Sequence, residues 1–242
     1  MIRVSANSIA KLVLLIIALC ITSTQVQALQ QGKSNTQEAT DNSWDYDGSA
    51  KLPAGWKVEG TNQKGPLATW QIVSDKSAPS GENTLMMVAP NHDSGGTFNL
   101  CWTGDVQFLD GTIEVNFKAL KGEEDQGGGV IWRAQDKDNY YIARFNPLED
   151  NFRIYSVREG HRKTLASAKI ALPAGKWHSL KIVQQGDRFQ GYLNGKEILE
   201  GESDLFPHSG GVGLWTKADA VTSFDNFSVQ LVNDNEPNTG NK

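Results

Sequence analysis

Short runs of β-branched and aromatic residues, each closed by Gly, Asn, Asp or Pro, follow one another along most of the chain from residue 67 to residue 232. Helical periodicity is scarce, so the apolar surface has to be buried by strands. Strands are expected at 67–73, 84–89, 97–102, 111–118, 127–134, 139–146, 151–158, 162–169, 176–185, 187–193, 211–216 and 221–232. Asn194-Gly195 supplies the two positive-φ residues of a type I′ hairpin, and Gly186-Asp187 does similar work one strand earlier. Many short strands joined by tight turns predict an all-β, antiparallel sandwich or barrel.

The N-terminal residues read differently. Arg3 and Lys11 precede an apolar run, Leu12 to Ile21, interrupted by Cys20, and Val26-Gln27-Ala28 follows as a small-residue cleavage pattern. A run of about ten residues is too short to span a bilayer and suits a signal peptide. Residues 1–28 are therefore expected to direct export to the periplasm or the exterior; a membrane would be met only through an uncleaved signal. Leu19 before Cys20 lacks the small side chain that lipid attachment requires. Residues 29–43 are rich in Gln, Ser, Thr and Asn and read as a flexible linker, and residues 233–242 as a disordered tail. A single domain is expected over residues 44–232.

Composition narrows the function. The net charge is −5, and cleavage would remove Arg3 and Lys11 and make the chain more acidic, which argues against nucleic acid as a partner. Cleavage would also leave Cys101 without a disulfide partner; within Phe98-Asn99-Leu100-Cys101-Trp102 it reads as a buried, inert thiol.

The centre of the chain allows a sharper expectation. With 135–138 as a turn, Arg133 falls opposite Tyr140, Trp132 opposite Tyr141 and Ile131 opposite Ile142. With 146–151 as the next loop, Phe145 faces Phe152 and Arg144 faces Arg153. Alternation then sends Val130, Trp132, Tyr141, Ala143, Phe145, Phe152 and Ile154 to one face, a core. The other face collects Arg133, Tyr140, Arg144, Arg153 and Tyr155 among Ile131, Ile142 and Val157. Aromatic rings stack on sugar faces and Arg offers fixed donors to hydroxyls or carboxylates, so these five residues are the expected carbohydrate-binding set.

Several segments resemble a known family. They are Asp110-Gly111-Thr112-Ile113-Glu114-Val115, Gly127 to Arg133, Lys176-Trp177-His178-Ser179-Leu180-Lys181-Ile182, Tyr192-Leu193-Asn194-Gly195-Lys196, Gly211 to Trp215, and Phe224 to Val229. Over 110–230 the chain resembles laminin-G-like and concanavalin-like domains of secreted bacterial proteins, and is most similar to the 3-keto-disaccharide hydrolase domain family. The resemblance implies a two-sheet jelly-roll sandwich of the concanavalin-like type and action on glycosides, with Arg133 carried over from the family's strand motif. The family's Tyr-Glu-x-Gln-Ile-x-Asp strand is replaced by Tyr140 to Asn146, which carries no carboxylate.

Two carboxylates normally flank a hydrolysed glycosidic bond. No Glu-x-Asp-x-x-Glu strand of the family-16 glycosidases is present, Glu123-Glu124-Asp125 reads as a solvated loop, and Glu200 to Asp204 as an exposed turn. Glu149 and Asp150 lie nearest the arginine face as candidate catalytic groups. Asp136 and Asp138 offer oxygen ligands for Ca²⁺, although such loops are more often Asx turns, and no metal or other cofactor is expected. The leading expectation is an exported domain that binds a glycan or glycoside on its Arg/Tyr face. A hydrolase or lyase of 3-keto disaccharides and a non-catalytic envelope or adhesion module are the alternatives.

Overall fold

The structure is a computed structural model that describes residues 40–44, 46, 51–91 and 95–232. The expected signal peptide and tail lie outside the described residues. Among those described there is no helix. One sheet has the spatial order β13 (Lys196–Glu202), β12 (Arg188–Leu193), β11 (His178–Gln185), β6 (Gly111–Lys121), β15 (Val221–Leu231), β4 (Asn83–Ala89), β3 (Thr69–Ser74). Strand β1 (Thr40–Trp44) also pairs with β15, so the last residues of the expected linker belong to this sheet. The other sheet runs β10 (His161–Lys169), β9 (Asn151–Arg158), β8 (Asn139–Asn146), β7 (Gly128–Asp136), β14 (Gly210–Lys217), β5 (Phe98–Phe108), β2 (Trp56–Thr61). All pairings are antiparallel, and the two sheets form the expected jelly-roll sandwich.

The core between the sheets is built by alternation. Val130, Trp132, Tyr141, Ala143, Phe145, Phe152 and Ile154 from the seven-stranded sheet join Ile113, Val115, Phe117, Leu180, Ile182 and Phe224 from the eight-stranded one. Burying each large side chain contributes about 1.5–3 kcal/mol, so this layer supplies the main driving force. The Trp132 indole donates to Gln184 at 2.9 Å, which satisfies its polar edge within the core. Cys101 is buried in the same layer, and its burial pushes the thiol well above its ordinary range. Asn194 and Gly195 have φ of 49° and 76°, as a type I′ turn requires.

The seven-stranded sheet is buried on its other face as well. Phe98, Leu100, Trp102, Ile131, Ala134, Tyr140, Ile142, Val157 and Trp215 form a second cluster there. The sheet coils until its diagonal corners meet. Thr61 of β2 hydrogen-bonds the Tyr140 hydroxyl of β8 at 2.6 Å and donates to Lys137 O, and Asn62 Nδ2 donates to Gly160 O at 2.9 Å. Arg162 of β10 lies 5.3 Å from the Phe98 ring of β5. None of these strands are hydrogen-bonded neighbours, so the contacts require a strongly twisted sheet that encloses its own concave side chains.

The expected pairing between β7 and β8 holds at Ile131–Ile142 and Trp132–Tyr141 and then changes. The turn is two residues, Asp136 pairs with Asn139, and the strand bulges between Trp132 and Asp136. Arg133 sits in the bulge with φ of 46° and does not face Tyr140. Its side chain leaves the Arg/Tyr face and is 2% exposed. The guanidinium donates to Leu109 O, Phe206 O, Gly186 O and Asp110 Oδ1 at 2.6–3.1 Å, tying three loops together. A bulge redirects one side chain without disturbing those beyond it, which is why Arg144 and Arg153 keep their expected places. Arg133 is a structural clamp: Arg133→Ala should cost about 3 kcal/mol and lower the thermal midpoint by on the order of 10 °C. An unchanged midpoint in calorimetry would refute this assignment.

Candidate functional site

Register on the concave face follows from the β8–β9 hairpin, where Arg144 pairs with Arg153, Ile142 with Tyr155, and Asn146 with Asn151. Loop 147–150 between these strands carries Glu149 to the rim. Glu149 Oε2 accepts from Arg144 at 2.9 Å, Asn151 at 2.8 Å and Arg153 at 3.3 Å. Arg144 also donates to Asn151 Oδ1 and the Tyr155 hydroxyl, and Arg153 reaches that hydroxyl and Ser167 Oγ. Arg144 and Tyr155 are buried, whereas the side chains of Arg153 and Glu149 are 34% and 43% exposed. Two accessible groups of opposite charge are thus held in place by two buried ones.

The expected set is therefore divided. Arg144, Arg153 and Tyr155 come together with Glu149. Tyr140 shares their face but is fully buried, with its hydroxyl on Thr61 and its titration pushed upward by burial. Arg133 is elsewhere. Asp150 has φ of 50° in the loop, and its carbonyl accepts from Ile170 N. Asp136 accepts from Asp138 N and the Asn139 amide, and Asp138 pairs with Lys137, an Asx turn satisfied from within. Among the described residues no group of three or more His, Cys, Asp or Glu side chains is arranged to hold a metal ion.

Three groups were not foreseen. Asp125, expected in a solvated loop, is 2% exposed. The loop is drawn in by Asp219, whose carboxylate accepts from the backbone N–H groups of residues 123, 124 and 125. Asp125 accepts from Asn146 at 3.0 Å and pairs with Lys217 at 3.2 Å. Desolvation raises its pKa, against the opposing charges of Arg144 and Lys217. Arg162 lies with its guanidinium 4.3 Å from the Tyr155 ring. Its place opposite Val157 was legible from the 159–160 turn. Lys217, Phe98 and Trp215 come from β14, which pairs with β7, and from β5, which pairs with β14; both pairings are long-range and had no local signal.

Glu149 behaves in the opposite sense to Asp125. Partial burial disfavours its charge, but hydrogen bonds from Asn151 and Arg144 and the charges of Arg144 and Arg153 outweigh this and bring its pKa from 4.5 to about 2. A carboxylate lowered in the folded state stabilises fully above its ordinary pKa and loses that effect as pH falls through the folded value. The contribution is small because the group is part exposed. The thermal-midpoint deficit of Glu149→Gln should accordingly shrink between pH 5 and pH 2. A deficit constant over that range would contradict the ion-pair account.

Residues 44–230 match the sequence profile of a family described as a 3-keto-alpha-glucoside-1,2-lyase-like domain. The levanase of Bacillus subtilis (strain 168) is 26% identical over 114 residues, which is 46% of this chain and 16% of that enzyme. The chain thus spans a small part of that relative's length. A carbohydrate binding module from Bacillus subtilis superposes with a TM-score of 0.56 at 22% identity, covering 72% of this chain and 95% of the module. A structure described as a native glycosidic hydrolase gives 0.55 at 12% identity, with 81% and 97% covered. The cellulose induced protein gives 0.53 at 16%, with 77% and 95% covered. At these identities the structural matches show a shared fold.

Proposed function

This chain belongs to the 3-keto-alpha-glucoside-1,2-lyase-like domain family, and on that premise we propose that it is an exported domain that binds a glycan or glycoside at the rim of its concave sheet. The observation that carries the reading is the network in which buried Arg144 and Tyr155 fix the exposed Arg153 and Glu149. A sugar hydroxyl both donates and accepts, so a guanidinium and a carboxylate side by side can engage neighbouring hydroxyls without reorganising. The fold shared with a carbohydrate binding module supports the same ligand class. Tyr140 and Trp215 stiffen the floor beneath this rim and do not stack on ligand, because both are fully buried. Export, to the periplasm or beyond, is supported by Arg3, Lys11, the apolar run and Val26-Gln27-Ala28.

A second reading is favoured by two carboxyl groups set among the cations of this face, Glu149 bonded to Arg144 and Arg153 and Asp125 to Asn146 and Lys217, with opposite shifts. In a 3-keto glucoside the C2 proton lies next to the ketone. A base that takes this proton allows the C1–oxygen bond to break, and an acid then protonates the departing oxygen. Carboxyl groups whose environments push their pKa values apart suit such a division of labour. On this reading Glu149 is the candidate base and Asp125 the candidate acid.

Titration calorimetry of the full chain with disaccharides, their 3-keto forms and levan tests the first reading, and product analysis of the same mixtures tests the second. Arg153→Ala and Glu149→Gln should each weaken binding about 10- to 100-fold, the loss expected for one charged hydrogen bond, while Tyr192→Ala on the other sheet leaves it unchanged. No binding to any saccharide, or equal affinity in all variants, would overturn the proposal. Turnover abolished by both Glu149→Gln and Asp125→Asn would favour catalysis, and binding without turnover would exclude it.

A further inference from the structure

We propose that the ligand of this rim is an acidic sugar, its carboxylate held by Arg162 beside Arg144 and Arg153; the inference rests on the glycan-binding reading above. The concave face carries several cations, among them Lys57, Arg144, Arg153, Arg162 and Lys217. Glu149 serves Arg144 and Arg153, Asp125 serves Lys217, and Glu59 serves Lys57. Among the described residues no carboxylate oxygen lies within ion-pair distance of Arg162. Its guanidinium is instead placed by two rings, 4.3 Å from Tyr155 and 5.3 Å from Phe98.

Among the buried donors on this face without a hydrogen-bond partner are Nη1 of Arg162 and Nε of Arg144, and the Arg144 side chain is 1% exposed. An unsatisfied buried donor is costly, and a charged one more so. Ring contacts do not replace a carboxylate acceptor, and the parallel N–H groups of a guanidinium match the two oxygens of a carboxylate. Glu149 lies close by and would repel a densely anionic ligand. It suits a ligand with one charge and neighbouring hydroxyls, as in a uronic acid. A guanidinium that merely covers aromatic surface would show no such preference.

Cellobiouronic acid and cellobiose form a matched pair of probes, one bearing a carboxylate where the other has a hydroxymethyl group. With the full chain in titration calorimetry, the acid should bind at least tenfold more tightly, and raising the salt concentration should erode that preference. Arg162→Gln should remove the tenfold preference, bringing the affinity for the acid down to that for cellobiose, while Arg162→Lys, which keeps the charge without the fork, retains part of it. Thermal midpoints of both variants close to the parent's would show that the fold is intact; should Arg162→Gln unfold, Arg162→Lys carries the comparison. Equal affinity for the two probes, or loss of both together in Arg162→Gln, would overturn the acidic-ligand inference while leaving glycan binding in place. Binding of neither probe would overturn the acidic-ligand inference, and the glycan-binding reading falls only if the other saccharides also fail to bind.

Discussion

The central strands of the seven-stranded sheet are buried on both faces, and the rest of the molecule is arranged around that constraint. One face packs on the eight-stranded sheet through Trp132, Phe145 and Phe152, and the other folds over its own cluster of Trp215, Ile131, Ile142 and Tyr140. A strand with both faces covered exposes little beyond its ends and the loops that follow it. Polar groups on the concave face must then satisfy one another or gather at the rim. Arg144 and Tyr155 do the first, and Arg153 and Glu149 do the second.

This arrangement separates the buried groups that hold the sheet from the accessible groups at its rim. The bridge from Thr61 to Tyr140 and the one from Asn62 to Gly160 hold the curl of the sheet, and the Arg133 clamp joins three loops from within a bulge. On the proposed reading, recognition falls to a few side chains in the β8–β9 loop and on β9 and β10, all anchored by buried partners. A site built in this way is preorganised, because its long side chains lose little further freedom when a ligand arrives. It also places two carboxyl groups, Asp125 and Glu149, in environments that differ in burial and in nearby charge.

Much of the fold was legible in the sequence. Period-two alternation put Phe145 against Phe152 and Arg144 against Arg153, and Asn194-Gly195 announced its hairpin. The strands β2 and β13 were missed: Lys196 to Glu202 is an edge strand with few apolar residues, and Trp56 to Thr61, of mixed polarity, follows a Pro53-Ala54-Gly55 turn. The bulge at Arg133 had no glycine to mark it. Asp125 looked solvated between acidic neighbours and glycines, because the groups that bury and bond it, Asp219 and Lys217, are remote in sequence. Local pattern also cannot show that a polar-looking face is covered by the coiling of its own sheet, so Tyr140 was expected as a platform and is part of a floor.

Chemical nitration with mass-spectrometric mapping tests the doubly buried sheet most directly. Of the five tyrosines, Tyr46, Tyr140, Tyr141 and Tyr155 are buried and Tyr192 is not. Nitration of the native protein should modify Tyr192 and spare Tyr140 and Tyr155 until the chain is unfolded. Modification of Tyr140 and Tyr155 at the rate of Tyr192 would mean that the concave face is open, and would contradict the account.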